Sequence, residues 1–152
     1  MRLENIFDVP APPERAWELL MDVPRVIPCM PGAELTETIG KAGWKATISV
    51  KLGPASFLFA SDVRRTEAER DTWRATLDIV ARELRGRGSA QATVTSTLQQ
   101  IDGGTRVTLV TDLTMVGAVA QYGSELVQPL SAQMVTSFAA CLRESIDAGH
   151  HP

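Results

Sequence analysis

The side chains able to do chemistry are few, and their placement narrows what the chain does. Both histidines, His150 and His151, stand at the extreme C-terminus, so a histidine general base or metal ligand inside the domain is not expected. The two cysteines, Cys29 and Cys141, lie far apart without metal-ligand spacing. They read as free buried thiols in a reducing compartment rather than as a disulfide framework. Cys29 falls between Pro28 and Met30-Pro31, in a segment placed to gate a cavity mouth. It reads as a structural thiol, since Arg25 is the only cation near it in sequence. Glu34 and Asp62 are the acids nearest the presumed interior. Asp62 has outward parity, so solvated strand-end carboxylates are expected rather than an acid–base pair. Gly86-Arg87-Gly88-Ser89 is glycine-rich but runs into a strand. It lacks the helix N-terminus that makes phosphate loops work and reads as a bulge or hairpin end. Metalloprotease, dithiol, nucleophile-elbow and phosphate-loop patterns do not occur. No catalytic residue, metal site or cofactor is therefore expected.

Of the fifteen basic residues twelve are arginine. Arg64, Arg74, Arg82, Arg87 and Arg106 share outward parity on neighbouring strands. They form either a docking stripe for an acidic partner or anionic membrane, or a solvated face among Asp and Glu neighbours. A net charge of −3 gives the whole molecule no electrostatic reason to seek nucleic acid.

The elements that position these residues follow from periodicity. The 152 residues suit one domain, assigned to 1–148 with 149–152 as a tail, and 44% apolar content is ordinary for a soluble globule. Met1-Arg2 leads directly into charged, alternating residues rather than an apolar leader. No apolar run approaches the ~20 residues of a membrane span. The cytoplasm is the expected address, with contact at the inner membrane face as the alternative.

Arg2 to Val9 reads as a strand ended by Pro10. Pro12-Pro13-Glu14 starts a helix with an apolar stripe at Ala16, Trp17, Leu20 and Met21. Val23 to Met30 gives a second short helical piece, and Pro31-Gly32 a turn. From Ala33 to Met115 the period is two: Trp44, Ala46, Ile48, Val50 and Leu52, for example, alternate with Lys45, Thr47, Ser49 and Lys51. Turns fall at Gly53-Pro54 and Asp102-Gly103-Gly104. This is the pattern of antiparallel strands with one wet and one buried face. Beyond Gly117, Tyr122, Leu126, Leu130, Val135, Phe138, Leu142 and Ile146 form the stripe of a long helix. Pro129 is expected to kink or split it.

The order β-α-α-β-β-β-β-β-β-α is an α+β arrangement, a curved antiparallel sheet of about seven strands wrapped around its terminal helix. Gly88, Ala90 and Ala92 are successive small residues on the inward face of one strand. They leave an apolar cavity, with Ser61, Ser96 and Thr111 placed to orient a ligand, or they let the helix pack closely.

The stretch Asp22-Val23-Pro24-Arg25-Val26-Ile27-Pro28-Cys29-Met30-Pro31-Gly32-Ala33-Glu34-Leu35 resembles the carbon monoxide dehydrogenase G-subunit family, a branch of the START-like helix-grip (SRPBCC) superfamily. Val9-Pro10-Ala11-Pro12 with Trp17, Lys51-Leu52-Gly53-Pro54, Gly104-Thr105-Arg106-Val107 and Gly117-Ala118-Val119-Ala120-Gln121-Tyr122-Gly123 support it, so the resemblance spans Leu3 to about Ile146. It implies a helix-grip fold with a hydrophobic pocket and no intrinsic catalytic centre. It further implies an accessory role beside molybdenum-containing, carbon monoxide dehydrogenase-type enzymes, in maturation, membrane recruitment or electron delivery. Such proteins often carry a C-terminal extension suited to membrane attachment. This sequence stops just after the helical stretch, so self-sufficient anchoring is not expected.

The leading expectation is thus a non-catalytic accessory protein holding a lipid- or quinone-like molecule between sheet and terminal helix. The expected contacts are Ile27, Met30, Trp44, Ile48, Phe57, Phe59, Leu77, Ala90, Leu109, Tyr122, Leu126 and Phe138, with the Tyr122 hydroxyl available for a hydrogen bond. The alternatives are a protein-interaction accessory without a physiological ligand, docking through the arginine face or the 23–32 loop, and a START-like cyclase or hydrolase.

Overall fold

A computed structural model describes residues 1–148. The element order is β1 (Arg2–Val9), α1 (Pro13–Met21), α2 (Val23–Val26), β2 (Ala33–Ile39), β3 (Gly43–Leu52), β4 (Ala55–Glu69), β5 (Arg74–Glu83), β6 (Ser89–Ile101), β7 (Gly104–Val116) and α3 (Ser124–Ala148). Short 3-10 turns occupy Ile27–Cys29, Arg70–Thr72 and Ala118–Gln121. The strands form one antiparallel sheet in the order β1-β7-β6-β5-β4-β3-β2. Chain neighbours pair directly from β2 to β7, and β1 closes onto β7 with Phe7 opposite Val107. The segment α1–α2 therefore crosses from one edge strand to the other.

The period-two reading of 33–115 is what the sheet displays. Two bulges, between Leu35 and Glu37 and between Arg65 and Glu67, add local bend and twist where long strands must curl. Gly86 and Gly88 lie in the β5–β6 hairpin. A Cβ on Gly88 would fall 2.3 Å from the Val116 carbonyl oxygen, so this glycine permits a close backbone approach.

Helix α3 runs across Pro129 as one element; of the kink or split expected there, the split does not occur. Proline here forgoes a bond to the carbonyl of Glu125, in the first turn, where the chain is exposed to solvent and the loss costs least. The buried face of α3 comprises Val127, Phe138, Ala139, Leu142 and Ile146. Leu126, expected on that stripe, is 44% exposed. Tyr122 lies before the helix begins, so it cannot set the helical phase, and Leu126 sits about 100° around from Val127.

Three apolar clusters make the interior. The first joins Phe7, Trp17, Leu98 and Val107 to Phe138, Leu142 and Ile146 of α3. The second gathers Leu52, Phe57, Phe59, Val119 and Val127 at the start of α3. The third is Val23, Trp44 and Val63. Gly149 to Pro152, including both histidines, lies outside the described residues.

Candidate functional site

The three clusters do not meet. Between them lies an apolar cavity of about 240 Å³, and strand register explains its floor. Ala46 stands opposite Ser61, and Ser61 opposite Ala81, so one row of small side chains crosses β3, β4 and β5. A second row runs Ala75, Ser96, Leu109 across β5, β6 and β7. Small residues abreast on a concave face leave space that only the opposite layer can fill. That layer supplies Leu20 and Met21 from α1, Val23 and Val26 from α2, Ile27 and Met30 from the following turn, and Phe138 from α3. Thus α1–α2 and its turn form most of the roof, and α3 contributes one ring. The cavity lies chiefly between the sheet and this crossing segment, rather than between the sheet and α3 alone.

Six of the twelve expected contacts are on the wall: Ile27, Met30, Ile48, Leu77, Leu109 and Phe138. The other six are elsewhere. Trp44 is buried in the third cluster and is not on the wall. Phe57, Phe59, Ala90 and Tyr122 belong to the second cluster, where Tyr122 meets Phe57 edge-on at 5.5 Å between centroids. Leu126 is exposed on the first turn of α3. The small run Gly88, Ala90, Ala92 is not on the wall, and at Gly88 it serves close packing. Of the polar positions, Ser61 and Ser96 line the cavity and Thr111 does not. The Ser61 hydroxyl donates to the Ala46 carbonyl at 2.9 Å, so it is satisfied across the strand pair. Ala46, Ala75, Ala81 and Arg65 are wall residues that sequence reasoning leaves out. Their common signal is inward parity, which becomes a site only once register is known.

The cysteines overturn the free-thiol expectation. Cys29 and Cys141 form a disulfide with Cα atoms 5.4 Å apart, across 112 positions of sequence. The reducing-compartment argument drawn from free thiols loses its basis with it. The reason is topological. Cys29 ends the turn that carries Ile27, Cys141 lies one turn beyond Phe138, and the fold lays that turn against α3. The bridge therefore staples the roof of the cavity to the helix beside it.

The acids and arginines behave differently from one another. Glu34 is exposed, and Asp62 makes an exposed pair with Lys45 at 3.9 Å. Glu83 is absent from the sequence-based expectations, although its inward parity at the end of β5 is visible there. Its side chain is wholly buried. It accepts hydrogen bonds from the backbone N–H of Leu58 at 2.9 Å and of Arg85 at 2.8 Å, and from Arg87 Nε at 3.3 Å. Burial pushes this carboxyl up, but the Arg87 side chain and the backbone N–H groups outweigh it and hold the pKa down at about 2. Arg87 turns inward over the Phe57 ring, 4.3 Å from its centroid, and so leaves the expected outward stripe. Arg74 pairs with Glu67 at 2.8 Å and Arg106 with Asp8 at 2.9 Å. Only Arg64 and Arg82 of that stripe remain as solvated cations without an ion pair among the described residues.

A second, larger depression of about 570 Å³ opens between α1 and the end of α3. Its wall carries Glu14, Glu18, Asp22, Arg15 and Arg25. Such a polar, open groove offers little desolvation to drive binding of a small apolar molecule, which the inner cavity does offer.

A curved seven-stranded antiparallel sheet gripping a long terminal helix is a helix-grip fold. The solved structures agree. A conserved protein of Geobacillus kaustophilus superposes with a TM-score of 0.85 at 20% identity, over 99% of this chain and 98% of that one. A Thermus thermophilus protein gives 0.67 at 20% identity, over 99% and 100%. The Zhui aromatase/cyclase of a Streptomyces species gives 0.66 at 12% identity, over 97% and 93%. At these identities the likeness speaks for the fold alone. A comparison with curated protein sequences found no significant match. The model of the carbon monoxide dehydrogenase G-subunit (CoxG) family matches residues 6–147, and the chain belongs to that family. Among the described residues no helix is long and apolar enough to cross a membrane.

Proposed function

We propose that this protein is a non-catalytic accessory that holds a hydrophobic small molecule, lipid- or quinone-like, in the cavity beneath α1–α2 and Phe138. It would serve a molybdenum-containing dehydrogenase of the carbon monoxide dehydrogenase type in maturation, membrane recruitment or electron delivery. The observation that carries the ligand reading is the cavity itself: about 240 Å³ of space with a predominantly aliphatic wall. Its polar members are Thr47, Ser61, Ser96 and Arg65, and no carboxylate is on that wall among the described residues. Burying apolar ligand surface there is favourable, and nothing on the wall forms an acid–base pair. The partner enzyme is supported by the family name alone.

The volume sets a limit on the ligand. At about 30 Å³ per water-sized group the space takes roughly eight such groups, a ring or a short chain. A longer tail must leave through the roof. Titration with short-chain quinones and medium-chain alcohols should show saturable binding. A ligand at a hundredfold its Kd adds about 2.7 kcal/mol, or roughly 5–10 °C in Tm for a chain of this size. A flat response across such a panel would contradict the carrier reading.

A further inference from the structure

Arg65 is the charged residue on the cavity wall, and its placement is specific. Ser61, Val63 and Arg65 share the inward parity of β4, and the bulge after Arg65 bends the strand at that point. An inward cation beside an aliphatic wall loses hydration, so something must hold it. Its Nη1 donates to the Met21 carbonyl, at the end of α1, at 2.9 Å. Its Nη2 donates to the Lys41 carbonyl, in the β2–β3 turn, at 3.3 Å. The guanidinium carbon stands 5.4 Å from the centroid of the Trp44 ring. The first of these bonds is part-buried and the second exposed, so the group stands where the cavity meets solvent.

What is missing is a counter-ion. Arg74, Arg87 and Arg106 each meet an acid, whereas no carboxylate pairs with Arg65 among the described residues. Of the five N–H donors of a guanidinium, two are used by the carbonyls, and the remainder have no protein acceptor among the described residues. Arg65 is thus a cation fixed by two carbonyls and one ring, with donors to spare, at the entrance to an oily space. Guanidinium donors in a fixed plane match an anionic oxygen head better than a neutral hydroxyl, and the bonds are charge-assisted.

We infer that Arg65 is the head-group site of this cavity and selects amphiphiles with a carboxylate head on an apolar body. The inference rests on the cavity being a ligand site, and it names the chemistry that ligand carries. The body lies among Leu77, Ile48 and Phe138, and the head remains at the mouth. An eight-carbon chain matches the available volume.

Isothermal titration with octanoate and octan-1-ol, against the wild type, Arg65→Met and Arg65→Lys, tests it. Methionine keeps an unbranched stem and removes the charge. Above the carboxyl pKa, octanoate should bind the wild type about tenfold more tightly than octan-1-ol. Arg65→Met should erase that preference while octan-1-ol affinity persists, and Arg65→Lys should keep part of it. The wild type alone decides the matter if the methionine variant does not fold, because the octanoate advantage should vanish once the ligand is protonated. Equal binding of acid and alcohol by the wild type overturns the head-group assignment and leaves the cavity reading standing. So does a preference that survives Arg65→Met. Failure of both ligands to bind overturns the cavity reading itself.

Discussion

The two halves of the interior are built from the same strands and differ in which residues fall abreast. Beneath the C-terminal half of α3, Phe7, Leu98 and Val107 face Phe138, Leu142 and Ile146. Leu142 and Val107 are 1% and 0% exposed there, and Phe7 meets Phe138 edge-on at 6.1 Å. Beneath α1–α2, the sheet presents Ala46, Ser61, Ala75 and Ala81, and the roof above them stops short. Large residues facing large ones close one half, and small ones in register leave the other hollow. The lesson is that the void is a property of cross-strand register and not of apolar content.

That contrast can be broken at either end, and the largest effect belongs to the closed half. Leu142→Ala should cost about 2–5 kcal/mol, because close-packed neighbours cannot collapse into the gap, as read from denaturant midpoints. Leu77→Ala, on the existing cavity wall, should cost less, since part of the side chain's surface already lacks a packing partner. Equal losses would mean that the two halves are packed alike.

Reducing the Cys29–Cys141 bridge, or replacing Cys141 by serine, should follow in size. A link across 112 positions restricts the unfolded chain, and its removal should lower stability by about 2–4 kcal/mol. Hydrogen exchange should then rise first in 20–30, the roof stapled by the bridge, and not in Phe7 or Val107. Uniform acceleration would show that the staple acts on the whole molecule and not on the roof.

The smallest effect sharpens the comparison most. Ala139→Val inserts bulk into the closed half and should destabilise by about 1–3 kcal/mol. Ala75→Val, buried but on the cavity wall, inserts similar bulk next to free space and should cost less than Ala139→Val while weakening ligand binding. The reverse order would place the free space under α3 instead.

Much of the fold is legible in the sequence. Strict alternation from Trp44 to Met115 marks the sheet and its inner face, because a one-residue slip would expose every apolar side chain. The fold class and family follow from that pattern together with the Asp22–Leu35 stretch. The cavity's position is not legible. Gly88, Ala90 and Ala92 stand out along one strand, but the void depends on neighbours across strands, and the bulges at Leu35/Glu37 and Arg65/Glu67 shift that register. Leu126 is misplaced when the helical phase is counted from Tyr122, before the helix begins. The disulfide escapes for a related reason: sequence spacing says nothing about two elements that meet only after the sheet has closed.

The most direct measurement is xenon binding in crystals of the protein under gas pressure, since xenon enters dry apolar cavities of this size. Xenon density is expected within contact distance of Ile48, Leu77, Ile79 and Phe138, and none among Phe7, Val107 and Leu142. A crystal without xenon beneath α1–α2, with side chains of roof and floor in mutual contact, would contradict it.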